Sequence, residues 1–304
     1  MSFLLLLSLL FGQQEPPPIK VEVNLVNVTF TVRGTDGQLA RNLKPEDFEI
    51  LEDGVPQEIK FFGRSADLPL RLALVVDGSS SQSKFNKDHH QDVEKFLRAS
   101  LTPRDQALLL GFGNHLRVAC GFTSNVEELM TSLTRYEKGS AGMPELDPDD
   151  TRSGGTAMFD ALYAVANQKL AGVSGERKAI VLFSDGEDNS SAHDVVEAIE
   201  ASQSADALIY TVRYTEARKK LTARNRFGRT EMNRLAKETG GAAFDASQGH
   251  VAESLAEIGD ELRSLYDIGY TTTNTTRDGT FRKILIRVKK PGLTVRAKSG
   301  YYPK

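Results

Sequence analysis

Three strongly apolar runs, Leu70–Val76 (broken only by Arg71), Ala107–Phe112 and Ala179–Phe183, are separated by segments with helical spacing. A strand built from such a run has no polar face, so it must be covered on both sides. That is the position of a strand in a mostly parallel sheet lying between two helix layers. The helical segments read as Asp88–Ser100, Val126–Leu133, Ala157–Lys169, Ala192–Ser204, Glu231–Thr239 and Val251–Leu265, with further strands at Leu208–Val212 and Ala242–Phe244. His115–Phe122 is placed to pair back on Ala107–Phe112 across Gly113-Asn114. The predicted fold of residues 68–265 is therefore α/β, with a doubly wound, mostly parallel central sheet.

The flanks have a different period. In residues 19–66, Val21, Val23 and Leu25 alternate, then Val26, Val28, Phe30 and Val32 continue one residue out of phase, which predicts a bulge. Asp36-Gly37 and Asp53-Gly54 read as hairpin turns. Residues 266–304 contain strands at Asp267–Thr272, Phe281–Val288 and Leu293–Ala297. Neither zone buries a face alone. Together they predict a β-sandwich of about seven strands into which the α/β unit is inserted.

Phe3–Phe11 is intensely apolar but only about half the ~20 residues of a spanning helix, which suits a signal peptide over residues 1–14, although no Lys or Arg precedes it. Export to the periplasm or medium is the expectation. No cysteine follows to carry a lipid, and no other segment is apolar enough to span a membrane. With 38 basic and 41 acidic side chains the net charge is −3, so no basic field exists to hold nucleic acid. One cysteine, Cys120, excludes an intrachain disulfide or a thiolate cluster and reads as a buried inert thiol.

Ligands of open α/β sheets bind beyond the carboxyl ends of the strands. Leu70–Val76 leaves into Asp77-Gly78-Ser79-Ser80-Ser81, Ala179–Phe183 leaves into Ser184-Asp185-Gly186, and Ser153-Gly154-Gly155-Thr156 opens the helix at Ala157. Asp77 and Asp185 offer carboxylates, and Ser79, Ser81 and Thr156 offer neutral hydroxyls. An all-oxygen set with few charges suits Mg²⁺, with Mn²⁺ or Ca²⁺ as alternatives, and leaves the ion able to accept one more anion.

Asp-x-Ser-x-Ser at Asp77–Ser81, then Thr156, then Asp185, resembles the von Willebrand factor A domain with a metal-ion-dependent adhesion site. Val23–Val28, Glu46–Ile50, Glu52–Gly54 and the end Arg296–Tyr302 resemble the acidobacterial-type group of related proteins. The resemblance implies a Rossmann-like domain and a non-catalytic adhesion or assembly module. In it, Mg²⁺ on Asp77, Ser79, Ser81, Thr156 and Asp185 would bridge to an Asp or Glu of a partner protein. It also implies a C-terminal helix, here Val251–Leu265, that shifts on ligand binding.

Other readings of these residues are weaker. A metal-independent scaffold is the alternative, and a phosphate-ester hydrolase a more distant one. Aspartyl-phosphate chemistry wants a second carboxylate two residues after Asp77, where Ser79 stands. Gly78-Ser79-Ser80-Ser81-Gln82 is not Gly-x-Ser-x-Gly, and Gly154-Gly155-Thr156 lacks the P-loop lysine. Asp160 is expected either behind the metal or as a first-turn partner of its helix dipole. His115 reads as a turn residue. The seven Arg and Lys of Arg213–Arg229 and the acids Glu145, Asp147, Asp149 and Asp150 read as solvated loops.

Overall fold

The computed structural model describes residues 25–64, 68–139, 141–148, 154–216, 222–249 and 251–303. The apolar run Phe3–Phe11, the alternating Val21 and Val23, and Asp149, Asp150 and Ser153 lie outside them. The first strands are β1 (Leu25–Gly34), β2 (Phe48–Glu52), β3 (Val55–Gln57) and β4 (Ile59–Arg64). The β2–β3 hairpin turns through Asp53 and Gly54, both at positive φ (49° and 84°), the geometry that matches the twist of the flanking strands. The Asp36-Gly37 turn leads into a single bridge, Arg33 to Leu39, rather than a second strand.

The α/β unit follows as β5 (Leu70–Asp77), α1 (Asn86–Ser100), β6 (Gln106–Phe112), β7 (Leu116–Thr123), α2 (Val126–Lys138), α3 (Met158–Val165), β8 (Arg177–Ser184), α4 (Val195–Ser204), β9 (Ala207–Arg213), α5 (Ala223–Thr239), β10 (Ala243–Asp245) and α6 (Val251–Leu262). The strand order is β10-β9-β8-β5-β6-β7, with β7 the antiparallel one. Leu70, Leu72, Leu74 and Val76 of β5 bury under α1, α2 and α6, while Ala73 and Val75 bury under α3, α4 and α5. This two-sided burial is what the apolar runs require.

Several helix limits differ from expectation, among them α2, which runs on to Lys138, and α6, which stops at Leu262; three have local causes. α4 starts at Val195, not Ala192, because Asp194 caps it: its carboxylate accepts from the N–H groups of Val196 and Glu197, and Glu197 reciprocates. α3 ends at Val165 and continues as one π-helical turn, Ala166–Leu170. α5 begins at Ala223, eight residues earlier than its apolar period suggests, because the Thr222 hydroxyl accepts from Asn225 N–H. Arg224, Arg226 and Arg229 are therefore helical, and Arg213 ends β9. The expected solvated loop is corrected to that extent, and Arg218, Lys219 and Lys220 lie outside the described residues.

The chain closes with β11 (Tyr266–Thr271), β12 (Arg282–Val288), β13 (Leu293–Ala297) and β14 (Gly300–Tyr301). Two four-stranded sheets, β13-β1-β11-β4 and β14-β12-β2-β3, pack face to face around Val28, Phe30, Phe48, Ile50, Tyr266 and Ile268. Among the described residues the sandwich has eight strands where about seven were expected, β14 being the addition. The β1–β11 register runs unbroken from Leu25 to Phe30, so the phase change there is no bulge; Leu25 lies on the exposed face. The irregularity falls instead at Gly269/Tyr270, where β11 meets β4. Arg64 pairs opposite Tyr266, so the inserted unit leaves and rejoins the sandwich on neighbouring strands.

Candidate metal centre

β5 and β8 are neighbours in the sheet, Val76 beside Phe183, so their carboxyl ends bring Asp77 and Ser184-Asp185 together. From β5 the chain moves outward to β6 and β7, then crosses back to β8 and leaves on the other side through β9 and β10. The crevice between β5 and β8 is thus the topological switch point of the sheet. Ser184 Oγ donates to Asp77 Oδ2 at 2.5 Å, and Ser79 N–H donates to Asp77 Oδ1 at 2.9 Å. The loop then curls so that the hydroxyls of Ser79 and Ser81 lie 3.0 Å apart, and Ser81 Oγ donates to Asp185 Oδ2 at 2.8 Å. Four of the five expected residues therefore share one chain of polar contacts.

Thr156 reaches the same edge through its backbone. Its N–H donates to Asn189 Oδ1 at 2.8 Å, and its carbonyl accepts from the N–H groups of Asn189 and Ser190. The next N–H, of Ala157, donates to the carbonyl of Gly113, which lies against the Gly78-Ser79 backbone. Among the described residues, no hydrogen bond joins the Thr156 hydroxyl to the other four. Gly155 makes this approach feasible: its φ is 97°, and a Cβ there would sit 2.6 Å from Asn189 Oδ1.

Asp77 is 1% and Asp185 5% exposed. No ion pair with Lys, Arg or His reaches either carboxylate among the described residues. Burial pushes the Asp77 carboxyl up to about 6; hydrogen bonds from Ser184 and Ser79 pull it back, and the charge of Asp185 adds to the rise. Two buried acids without a basic partner form an uncompensated negative site. The donors are all oxygen, two charged and three neutral, so the set fits a hard divalent cation such as Mg²⁺. A conventional cluster is absent: among the described residues no three His, Cys, Asp or Glu side chains are placed to hold a metal.

Several neighbours carry no signal in the sequence. Gln82 Nε2 donates to Asp185 Oδ2 at 2.8 Å. Ser184, read there only as a strand end, holds Asp77. Asp188 Oδ2 accepts from Phe159 N–H at 2.9 Å, a remote cap for α3. Asp160 anchors the approach to α4: its carboxylate accepts from the N–H groups of Ala192 and His193 and lies 2.7 Å from His193 Nδ1. His115 is in the β6–β7 turn, 2.6 Å from Glu145, which also pairs with Arg117 at 3.0 Å. That acid therefore belongs to the turn, not to a solvated loop. Cys120 is buried and free, and burial raises its thiol.

No curated protein matches the chain in sequence. Among solved structures, an aerotolerance-related membrane protein from Bacteroides fragilis is 17% identical, with 64% of this chain and 98% of that one covered and a TM-score of 0.47. BatB from Bacteroides thetaiotaomicron is 14% identical over 63% and 99%, with a TM-score of 0.45. Proximal thread matrix protein 1 from the mussel byssus, solved with zinc in its metal-ion-dependent adhesion site motif, is 14% identical over 70% and 50%, with a TM-score of 0.50. Among the described residues no helix is long and apolar enough to cross a membrane. The family model of the von Willebrand factor type A domain matches residues 72–258, more than half of the chain, and so the chain belongs to the von Willebrand factor type A domain family.

Proposed function

We propose that this chain is an exported, non-catalytic protein-binding module that captures a partner carboxylate at a divalent cation, with residues 68–265 as the binding domain and 19–66 with 266–304 as its sandwich. Family membership supports the interaction role. The observation that carries the metal reading is the meeting of two buried acids, Asp77 and Asp185, through the Ser79 and Ser81 hydroxyls, with no ion pair to offset them among the described residues. Asp77, Ser79, Ser81, Thr156 and Asp185 would hold the cation, with Mg²⁺ the first choice. When bound, the ion supplies a Lewis-acidic point for an Asp or Glu of the partner. The protein residues do the rest. Ser184 and the Ser79 N–H fix the Asp77 carboxylate, Gln82 fixes that of Asp185, and Asn189 fixes the loop carrying Thr156.

Calorimetric titration with Mg²⁺, Mn²⁺ and Ca²⁺ tests the centre, and carboxylate-bearing resin with and without EDTA tests the capture. Asp77→Ala is expected to abolish both while leaving the circular dichroism spectrum unchanged. Divalent binding that persists in Asp77→Ala would refute the assignment, and EDTA-insensitive capture would favour the scaffold reading.

A further inference from the structure

Helix α2 reaches the metal centre through one ring. Tyr136, in its last turn, lies flat against two glycines of the neighbouring chain. A Cβ on Gly111 of β6 would sit 2.1–2.4 Å from carbons of that ring, and one on Gly78 would sit 2.2 Å from its hydroxyl oxygen. Neither glycine has the positive φ that ordinarily selects for glycine, so what these two positions supply is space for the ring. Gly78 is the residue between Asp77 and Ser79.

The same ring meets the point from which both halves of the centre hang. Phe112 closes β6 opposite Asp77. Its carbonyl accepts from Gly78 N–H at 2.6 Å and from the Tyr136 hydroxyl at 3.3 Å. The carbonyl of the next residue, Gly113, accepts from Ala157 N–H at 2.8 Å. The loop of Asp77, Ser79 and Ser81 and the loop of Thr156 are thus tied to two consecutive residues, and Tyr136 covers the first. No side chain of β6 can do so from that side, because Phe112 packs on the opposite face of the sheet, and Gly111 and Gly113 flank it. The anchor matters most for Thr156, whose hydroxyl makes no hydrogen bond to the other four residues among those described.

We infer that Tyr136 is a positioning residue for the metal centre. By holding the end of β6 against α2, it fixes the separation of the Asp77 loop from the Thr156 loop, and with it the fit of the cation. This rests on the metal reading above and adds the residue through which α2 governs the affinity of the site.

Calorimetric titration of Mg²⁺ into the full chain, set beside urea unfolding of the same variants, separates positioning from packing. Tyr136→Leu keeps an apolar side chain on α2 but takes the ring from Gly78 and Gly111. It should weaken Mg²⁺ binding about tenfold, the scale for a group that orients metal ligands. Tyr136→Phe gives up only the long hydroxyl contact and should change the affinity less than about threefold. Leu133→Ala, three residues earlier on the same helix and fully buried in the core, should lower the urea midpoint more than Tyr136→Leu. It should nevertheless leave Mg²⁺ affinity within about twofold. Gly111→Ala should weaken binding by itself yet cost nothing further in the Tyr136→Ala background, since the atoms it meets are then gone. Mg²⁺ affinity of Tyr136→Leu within about twofold of wild type, or equal losses in Tyr136→Leu and Leu133→Ala, overturns the positioning role and leaves the metal reading standing. Additive losses from Gly111→Ala and Tyr136→Ala overturn it too. No Mg²⁺ binding by the wild-type chain overturns both.

Discussion

The joint between the inserted domain and the sandwich turns on one side chain. Glu261, in the last turn of α6, is fully buried. It accepts from Arg33 of β1 (Nη2 at 2.9 Å, Nε at 3.2 Å) and from Arg296 of β13. Breaking a buried ion pair from one side costs about 3–5 kcal/mol when the orphaned charge stays dry. Here the two arginine side chains are 23% and 30% exposed and can turn toward water, so Glu261→Ala should cost less, about 2–3 kcal/mol. For a chain of this size that lowers Tm by about 6 °C. Glu257 pairs with the same Arg33 at 2.7 Å but is 44% exposed, so Glu257→Ala should cost below about 1 kcal/mol. Urea unfolding gives both numbers, and hydrogen exchange over 251–262 reports whether α6 loosens from the sandwich. If the two variants lost equal stability, or α6 exchanged no faster in Glu261→Ala, the clamp argument would be wrong.

Other perturbations have equally definite signs. Burial pushes the His89 imidazole down to about 4 from 6.5. Below 6.5 the unfolded chain takes a proton that the folded chain refuses, so stability is lost as pH falls from 6.5 toward 4, by about 3 kcal/mol in all. Comparing urea midpoints of wild type and His89→Leu at neutral pH and near pH 5 isolates this, and an identical pH dependence in the two would exclude it. Gly186→Ala puts a Cβ at φ 83° and 2.5 Å from the Gly228 carbonyl of α5. It should destabilise by about 2 kcal/mol and weaken Mg²⁺ binding, because Asp185 must move; unchanged calorimetry would refute that coupling. Arg177, at the opposite end of β8, donates to the carbonyls of Leu68 and Leu262. Arg177→Ala should lower stability by about 3 kcal/mol yet leave Mg²⁺ affinity within about twofold, and a larger affinity change would show that the two ends of the sheet communicate.

What the sequence made legible follows from how locally each feature is encoded. β5 and β8 were readable because burial on both faces imprints consecutive apolar residues, Leu72–Val76 and Ala179–Phe183. Asp77, Ser79, Ser81 and Asp185 were readable because strand ends fix where their loops must converge, and the structure joins them by contacts of 2.8–3.0 Å. The start of α5 was not, since its first turns hold Arg224, Asn225 and Arg226 and bury little until Glu231 and Met232. Thr222 was the available signal, a cap with no apolar period behind it. Gln82, Ser184 and Glu261 were beyond reach for another reason. Each acts on a residue that only the folded topology delivers: Gln82 on Asp185, 103 positions away, and Glu261 on Arg33, 228 positions away.

The placement of these features gives the molecule a polarity. Parallel strands send all their carboxyl ends one way, so Asp77, Asp185 and the Thr156 loop share one edge. The chain joins the sandwich at the other edge, where β5 begins at Leu70 and Arg177 opens β8. An insertion can be held firmly there without covering the binding edge, because Arg64 and Tyr266 sit opposite each other on β4 and β11. α6 touches both layers of this arrangement, packing under β5 through Leu255, Ile258 and Leu262 and binding the sandwich through Glu261. The far side of the domain does so too, where Ser299 N–H donates to the Glu238 carbonyl of α5 and Lys298 pairs with Asp206 at 2.9 Å. Movement of the inserted domain relative to the sandwich would strain these contacts together, the Arg33–Glu261–Arg296 cluster among them.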